Sequence, residues 1–181
     1  MSSIPLRLPA PAAGEFNPYY GRYVEPLEGR DAAGIFADQP DRLDALCGRL
    51  DEQGAGFRYA PGKWSIREVI GHISDTERVF AYRLLRFARN DPTPLPGFDE
   101  NLYVANAGFD SRPIGELVDG FRHLRASTRA LLLGLDAAAW ERRGTANEDG
   151  VTVRALAYLI PAHAEHHLRL LVSRYGLSET G

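Results

Sequence analysis

Three histidines occupy positions at which the neighbouring residues are apolar. His163 and His167 are four residues apart and interrupt an apolar stripe near the C-terminus. Residues four apart lie on the same face of a helix, so both imidazoles point towards the predicted core. His72 takes a similar place in an earlier segment, on a stripe that contains Val69 and Ile73. Buried imidazoles require partners, either a hydrogen-bonding group or a metal ion.

A divalent metal ion is the one partner that would account for all three imidazoles together. Imidazole nitrogen binds several divalent metals, and helical bundles build metal sites from side chains on facing helices. Three protein ligands leave coordination positions open, which is typical of a catalytic site. We therefore predict that His72, His163 and His167 bind zinc or nickel, with iron or copper as alternatives. The competing interpretation is a set of packed, hydrogen-bonded core histidines without metal.

Other polar residues are weaker ligand candidates. His123 lies between arginines, and His166 points partly away from the apolar stripe. Glu77 is about 140° around the helix from His72, so a salt bridge to a neighbouring helix is the expected role. Ala164 stands where a zincin protease has the glutamate of its HExxH motif, which disfavours that enzyme class.

Four residues are candidates for lining a substrate pocket beside the metal. Thr76 is one turn beyond His72 on the same helix, and Arg83 lies on the same face roughly 16 Å further along. An arginine at this place binds a substrate carboxylate, pairs with an acid of the core, or extends its charged end along the surface to solvent. Asn101 and Tyr103, from the following loop, complete the set.

Hydrophobic periodicity predicts four long amphipathic helices, over about 38–53, 65–89, 113–133 and 152–175. Ser65 and Glu68 match a capping box, Pro40 is expected in the first turn of the first helix, and Asp136 begins a further short helix. No segment shows the alternation of a strand. These elements predict an all-α protein with the architecture of a four-helix bundle.

Two further segments complete the predicted organisation. Residues 1–30 are rich in proline, glycine and tyrosine and are expected to form a short N-terminal arm that packs on the body through its tyrosines. Residues 31–181 form the bundle domain, and residues 90–112 form a long loop between its second and third helices. Long loops in compact domains are often functional.

Composition narrows the classes of function. The chain has 181 residues and a net charge of −3, which gives no electrostatic reason to expect nucleic acid or anionic membrane as a partner. No apolar run approaches transmembrane length, and no signal peptide is recognisable. The single cysteine, Cys47, lies in an amphipathic stretch, where a core role is expected. The cytoplasm is therefore the expected compartment.

Three stretches together resemble the DinB/YfiT-like superfamily. They are residues 61–83, which read PGKWSIREVIGHISDTERVFAYR, residues 96–101, which read PGFDEN, and the C-terminal histidines of the pattern HxxHH at 163–167. The resemblance covers nearly the whole chain from about residue 15. It implies a DinB-type four-helix bundle that forms a homodimer and a divalent metal bound by three histidines, which map onto His72, His163 and His167.

The resemblance also bears on activity. Related proteins are transferases or isomerases that use bacillithiol, mycothiol or glutathione, others are assigned as metal-dependent hydrolases, and many have no known activity. The first hypothesis is therefore a metal-dependent hydrolase or thiol-dependent transferase that acts on a small molecule, with a low-molecular-weight thiol as a possible co-substrate. The second is a non-catalytic, metal-binding protein related to stress. The third is a structural dimer whose packed histidines bind no metal.

Overall fold

The structure, a computed structural model, describes residues 6–48 and 50–178; residues 1–5 of the predicted arm, Arg49 and residues 179–181 lie outside this part. Its elements in chain order are α1 (Gly21–Val24), α2 (Ala32–Cys47), α3 (Glu52–Ala55), α4 (Ile66–Ala88), α5 (Glu100–Ala107), α6 (Ile114–Leu133), α7 (Ala137–Glu141), β1 (Arg143–Ala146), β2 (Asp149–Thr152) and α8 (Val153–Ser173). Short 3-10 turns cover Pro18–Tyr20, Glu25–Leu27 and Phe109–Ser111.

The four long helices α2, α4, α6 and α8 pack as a bundle, which confirms the predicted fold class. Both α2 and α4 pack against α6 and α8. Helices α2 and α4 therefore lie at opposite corners, although they are consecutive long helices in the chain, and α4 lies directly beside α8. This arrangement brings the two predicted histidine-bearing helices into contact. No helix in the described part of the chain combines the length and apolar character needed to cross a bilayer.

Helix ends follow the local chemistry of the sequence at several predicted places. The Ser65 side chain accepts a hydrogen bond from the backbone N–H of Glu68, and Glu68 accepts one from the backbone N–H of Ser65. This reciprocal pair is the predicted capping box at the start of α4. The Asp136 carboxylate caps α7, and the Thr152 hydroxyl accepts from the N–H of Ala155 to cap α8. These caps define the residues at which α4 and α8 begin, and from there the helical repeat sets the direction in which each helix presents its histidines.

The predicted bounds of the first long helix were wrong. Helix α2 begins six residues earlier than expected because the Asp31 carboxylate caps it, and it ends at Cys47, before the separate short helix α3. Pro40 consequently lies inside the helix rather than in its first turn. A proline there cannot donate to the carbonyl four residues back, that of Phe36. The Arg125 guanidinium on α6 donates to this carbonyl instead, at 2.9 Å.

A second correction concerns the loop between α4 and α6. Residues 90–112 contain helix α5, whose first turn is capped by the Asp99 carboxylate through hydrogen bonds from the N–H groups of Asn101 and Leu102. Only Val104 of this eight-residue helix is buried. A helix with one buried residue has no apolar stripe, which is why periodicity did not indicate it.

A β-hairpin is the third departure, since no strand was predicted. Strands β1 and β2 are antiparallel, with Arg143 opposite Thr152 and Ala146 opposite Asp149. Asn147 and Glu148 form the two-residue turn, and their φ values of 54° and 68° are those of a type I′ turn. Strands of four residues are too short to show alternation in sequence. Leu95, after α4, adds backbone hydrogen bonds to this hairpin.

Residues 15–23 lie across α4 and α8. The Tyr20 ring contacts the Phe80 ring on α4 with centroids 6.2 Å apart, and the Tyr23 ring contacts the His163 ring on α8 at 5.4 Å. The backbone carbonyl of Glu15 accepts from the N–H of Thr152, between β2 and α8. This segment therefore covers the seam between the two helices that carry the histidines.

Candidate metal centre

The three histidines of the predicted site meet at the interface of α4 and α8. The Nε2 atom of His163 lies 3.1 Å from Nε2 of His72 and 3.1 Å from Nε2 of His167. The ligand atoms of all three lie within 4.8 Å of one another, and all three side chains are buried. Two neighbouring turns of α8 supply one pair, and α4 supplies the third residue from the facing side.

Hydrogen bonding among the imidazoles cannot satisfy all of these contacts. A neutral imidazole nitrogen carries either one proton or one lone pair in the ring plane. Nε2 of His163 faces two other Nε2 atoms, and it can form a hydrogen bond with only one of them. A cation placed between the three atoms would accept a lone pair from each. The chemistry of this donor set therefore fits a metal ion.

The spacing of the nitrogen atoms also fits. With a metal–nitrogen distance of about 2.0–2.1 Å, neighbouring ligands are about 3.4 Å apart in a tetrahedral site and about 2.9 Å apart in an octahedral one. The two separations that involve His163, both 3.1 Å, lie between these values, whereas His72 and His167 are further apart, within 4.8 Å of each other. His72, His163 and His167 could therefore hold a metal ion once His72 and His167 move closer together, and three ligands leave at least one coordination position open.

Burial keeps these imidazoles in the form that binds metals. Desolvation, with a smaller contribution from His166, lowers the pKa of His72 to about 4. Desolvation and the neighbouring imidazoles lower the pKa of both His163 and His167 well below the usual value for histidine. A metal ligand must be the neutral imidazole with a free lone pair. At neutral pH no proton has to be displaced from any of the three.

Aromatic rings enclose the cluster. The Trp64 ring contacts the His72 ring at a tilt of 43° with centroids 4.7 Å apart, and Phe80 lies edge-on to His163 at 6.2 Å. The Nδ1 atom of His167 is buried and has no hydrogen-bond partner in the described part of the structure. The ring of His167 is therefore oriented by packing, in contrast with the carboxylate or carbonyl contact that usually orients a metal-bound histidine.

A cavity of about 450 Å³ opens from the cluster, which is a size typical of small-molecule sites. Its wall combines the histidines with residues from α4, the N-terminal segment, the loop after α4 and the β-hairpin. Besides the three histidines, the lining residues are Asn17, Tyr19, Tyr20, Tyr23, Trp64, Thr76, Phe80, Arg83, Gly97, Phe98, Glu100, Asn147 and Asp149.

The structure brings together some of the predicted substrate-binding residues and separates others. Thr76 and Arg83 are buried and line the cavity. Asn101 and Tyr103 are exposed residues of α5 and line two other, shallower depressions. Neither residue lines the cavity beside the histidines, although the Tyr103 ring contacts the ring of Phe98 in the cavity wall, with centroids 5.3 Å apart. Glu77 forms the predicted interhelical salt bridge, at 2.9 Å from Arg125 of α6.

Several lining residues were not predicted from the sequence. Tyr20 and Tyr23 come from the N-terminal segment, and Asn147 and Asp149 come from the hairpin. The tyrosine-rich composition gave the one available signal, since it predicted packing against the body. The hairpin residues gave none, because their approach to the cavity depends on a turn that is remote in sequence from both histidine-bearing helices.

Comparison with known proteins agrees with this architecture. The sequence model of the DinB superfamily matches residues 35–171, which is more than half of the chain and includes all three histidines. The chain belongs to the DinB superfamily. No curated protein matches the sequence.

Among solved structures, this DinB-type bundle is similar to YfiT from Bacillus subtilis, which is described as a probable metal-dependent hydrolase with an unusual four-helix bundle topology. The TM-score is 0.69 over 93% of this chain and 94% of that one. The sequences are 16% identical, so this likeness bears on the fold alone.

Proposed function

We propose that His72, His163 and His167 bind one divalent metal ion and that the protein is a metal-dependent enzyme acting on a small molecule. The observation that carries this proposal is the meeting of three buried Nε2 atoms at the wall of a 450 Å³ cavity. The description of YfiT as a probable metal-dependent hydrolase supports it. Zinc or nickel is the proposed ion, with iron or copper as alternatives.

The metal and the protein would divide the chemistry between them. A divalent ion bound at three imidazoles acts as a Lewis acid and favours the deprotonated form of a water molecule or thiol beside it. The protein residues exclude solvent and orient the substrate. Trp64, Phe80 and Tyr23 supply apolar walls, while Thr76 and Arg83 supply polar groups along α4.

Hydrolysis and thiol transfer are both reactions of such a site, and one observation favours considering the second. Among the described residues, no carboxylate forms a hydrogen bond with any of the three imidazoles, and the carboxylates of the cavity wall, Glu100 and Asp149, lie outside the histidine-bearing helices. A thiol needs less help than water to lose its proton. Burial, with a smaller contribution from Asp44, raises the pKa of Cys47 to about 12, so the thiol would come from a co-substrate.

The first test is the metal content of protein purified without a histidine tag. We expect about one divalent ion per chain, its loss in His163→Ala, and its retention in His123→Ala, which changes an exposed histidine on α6. Absence of metal from the parent protein, even after reconstitution at neutral pH, would overturn the proposal and leave a bundle with packed histidines.

Activity is the second test. The metal-loaded protein is assayed with p-nitrophenyl esters, and with glutathione or bacillithiol plus an electrophilic aryl chloride. Turnover of an ester without thiol identifies a hydrolase, and turnover that requires the thiol identifies a transferase. In either case His163→Ala is expected to abolish the activity. A loaded protein that turns over neither class would instead support the alternative of a non-catalytic, metal-binding protein.

A further inference from the structure

Arg83 is a buried cation without a carboxylate partner. Three arginines in the described part of the chain are buried: Arg67, Arg83 and Arg125. Arg67 forms an ion pair with Glu52, and Arg125 forms one with Glu77. No described carboxylate lies within 4.0 Å of Arg83, although its exposed fraction is only 4%. Buried charges in folded proteins are normally paired, so this guanidinium is an exception that requires a cause.

The surroundings of Arg83 hold the guanidinium in place but leave much of its binding capacity unused. Its Nη2 donates to the carbonyl of Pro96 at 2.8 Å, and its charge lies 5.8 Å from the centre of the Phe98 ring. The hydroxyls of Tyr20 and Tyr103 are further polar neighbours. A guanidinium has five N–H donors in a planar fork. Because Arg83 lines the cavity, the remaining donors are available to a bound molecule.

Thr76 provides a second, independent sign of a missing ligand. Its Oγ1 is buried, lines the same cavity, and has no hydrogen-bond partner in the described structure. The other buried helical threonine, Thr128, shows the usual solution, since its hydroxyl donates to the carbonyl of Leu124 at 3.1 Å. A buried hydroxyl without a partner is costly, and a polar group of a ligand would satisfy it.

These residues form one line along α4. His72, Thr76, Phe80 and Arg83 are spaced so that each lies about one turn beyond the last on the same face, and all four line the cavity. The Cα atoms of His72 and Arg83 are about 16 Å apart along the helix, and the long arginine side chain tilts back towards the N-terminus of α4. A ligand that fills the cavity would contact the Phe80 ring between the imidazole of His72 at one end and the guanidinium of Arg83 at the other.

The charge of the cavity indicates which anion would fit. Among the described lining residues, Arg83 is the one arginine or lysine, whereas Glu100 and Asp149 contribute carboxylates at the wall. A doubly charged phosphate would need more cations than this wall supplies. The planar fork of one guanidinium matches one carboxylate group, which carries a single charge.

We propose that the cavity binds a small organic carboxylate whose acid group pairs with Arg83 and whose other end reaches the histidine cluster, with the Thr76 hydroxyl bonded to a polar group between them. This inference rests on the proposed function, because it takes the same cavity as the substrate site. It narrows the substrate class to carboxylic acids with an apolar or aromatic segment between the acid and the reacting group.

The first experiment needs no metal. Protein dialysed against EDTA is titrated by calorimetry with 4-phenylbutyrate and with 4-phenylbutanamide, which differ only in the charged group. We expect the acid to bind at least tenfold more tightly than the amide, because hydrogen bonds between charged groups are the strong ones. Equal affinity of the two probes for the parent protein would overturn the proposal.

Substitutions on α4 test whether the preference for the acid over the amide depends on Arg83. In Arg83→Gln the ratio of affinities should fall to about one, and in Arg83→Lys, which keeps the charge but loses the fork, it should be intermediate. Arg78→Gln removes an exposed charge from the same helix and should keep the parent ratio. Circular dichroism verifies the fold of each variant. Should Arg83→Gln fail to fold, a parent-like ratio in Arg83→Lys would contradict pairing with the guanidinium fork.

A second experiment measures the reach between the two ends. The zinc-loaded protein is titrated with suberic acid monohydroxamate and with its methyl ester. In both ligands the hydroxamate binds the metal. The opposite end is a charged carboxylate in the acid and an uncharged ester in the other. We expect the acid to bind at least tenfold more tightly than the ester, and we expect His163→Ala to bind neither compound. Equal binding of acid and ester would overturn the Arg83 inference while leaving the metal site intact. A protein that binds no zinc would overturn the proposed function, and the metal-free titration would then decide the Arg83 inference.

The role of Thr76 is tested with the same ligand. Thr76→Val keeps the side-chain shape and removes the hydroxyl, and it should weaken hydroxamate binding by about two- to tenfold, the value of one hydrogen bond. Thr128→Val makes the same chemical change at a buried site whose hydroxyl bonds within its own helix, and it should leave binding unchanged. Equal effects of the two variants on affinity would contradict a ligand contact at Thr76.

Discussion

The Nε2 atoms of His72 and His163 lie 3.1 Å apart, although 91 positions separate the two residues in the chain. Neither side chain has a carboxylate partner in the described structure, and both are buried. Because Nε2 of His163 lies equally close to Nε2 of His167 and can form a hydrogen bond with only one of the two nitrogens, a cation bound by all three satisfies the cluster better. Metal bound at these buried imidazoles should therefore raise the free energy of unfolding more than metal bound by side chains on the surface.

Zinc is expected to stabilise the folded protein by mass action. At a free concentration about 100 times the dissociation constant, the free energy of unfolding should rise by about 2.7 kcal/mol, because only the folded chain brings the three imidazoles together. Differential scanning fluorimetry with and without zinc measures this shift. His163→Ala should show no shift, and His123→Ala should shift like the parent. A shift of equal size in His163→Ala would place the bound zinc elsewhere.

The ion pair of Arg125 and Glu77 joins α6 to α4 in the core, and it predicts an asymmetric mutational effect. Arg125→Met leaves the Glu77 carboxylate, the Phe36 carbonyl and Gln39 without their donor. We expect a loss of about 3–5 kcal/mol in the free energy of unfolding, measured by urea denaturation, because an unpaired buried charge remains. Adding Glu77→Met should restore much of this loss, since the buried charge is then gone.

The matched control for this pair lies one turn away on the same helix. Arg122 is bonded to Asp41 on the surface, and exposed ion pairs contribute little to stability. Arg122→Met should therefore leave the urea midpoint nearly unchanged. If the double variant at 77 and 125 is no more stable than Arg125→Met alone, the charge is not what makes the single change costly.

Glu15 predicts a pH dependence of stability. Burial alone raises the pKa of this carboxyl, but hydrogen bonds from Arg154 and from the backbone N–H of Ala12 more than offset it, so the net pKa lies below the ordinary 4.5. The folded chain therefore binds fewer protons here than the unfolded chain. The stabilisation by the Glu15 carboxylate is present above pH 4.5, and it is lost as the pH falls through the lowered pKa of the folded chain.

The measurement compares Glu15→Gln with the parent across pH. The parent should be the more stable of the two at pH 7, and the difference should shrink as the pH falls below about 4.5. Glu141→Gln is the control, because Glu141 also contacts Arg154 but is largely exposed. A difference between parent and Glu15→Gln that stays constant from pH 7 to pH 3 would contradict the role of the charged carboxylate.

The parts of the fold that the sequence predicted are those governed by periodicity. The i, i+4 spacing of His163 and His167 within an apolar stripe indicated a shared buried face, and the positions of Thr76 and Arg83 on α4 followed from the same geometry. Asn101 and Tyr103 could not be placed in this way, because a loop has no period and the short helix α5 has no apolar stripe. Binding of metal by the three histidines stays a prediction until ion content is measured.

Long-range contacts account for the remaining differences between sequence and structure. Pro40 indicated a first turn, but the Arg125 guanidinium bonds to the carbonyl that this proline leaves free, so the helix continues through it. Tyr20 and Tyr23 reach the cavity because their segment crosses the seam of α4 and α8. Neither contact leaves a local pattern, since each joins residues more than fifty positions apart.

Gly71, which precedes His72 on α4, shows how closely the turn after α5 packs on the histidine-bearing helix. A Cβ at this position would overlap the buried ring of Phe109. Alanine normally strengthens a helix relative to glycine by up to about 1 kcal/mol. At Gly71 the overlap should outweigh that gain, because inserting a carbon into a packed core costs about 1–3 kcal/mol. We expect Gly71→Ala to lower the urea midpoint.

Gly120 on α6 provides the opposite case within the same bundle. No heavy atom lies within 4 Å of a Cβ built there, so Gly120→Ala gains helix propensity without a clash. The free energy of unfolding should rise by up to about 1 kcal/mol. The two substitutions are chemically identical, so opposite signs isolate the contact between Gly71 and Phe109. If Gly71→Ala also stabilises the protein, the ring of Phe109 moves freely, and the turn after α5 does not fix the position of α4 beside the histidines.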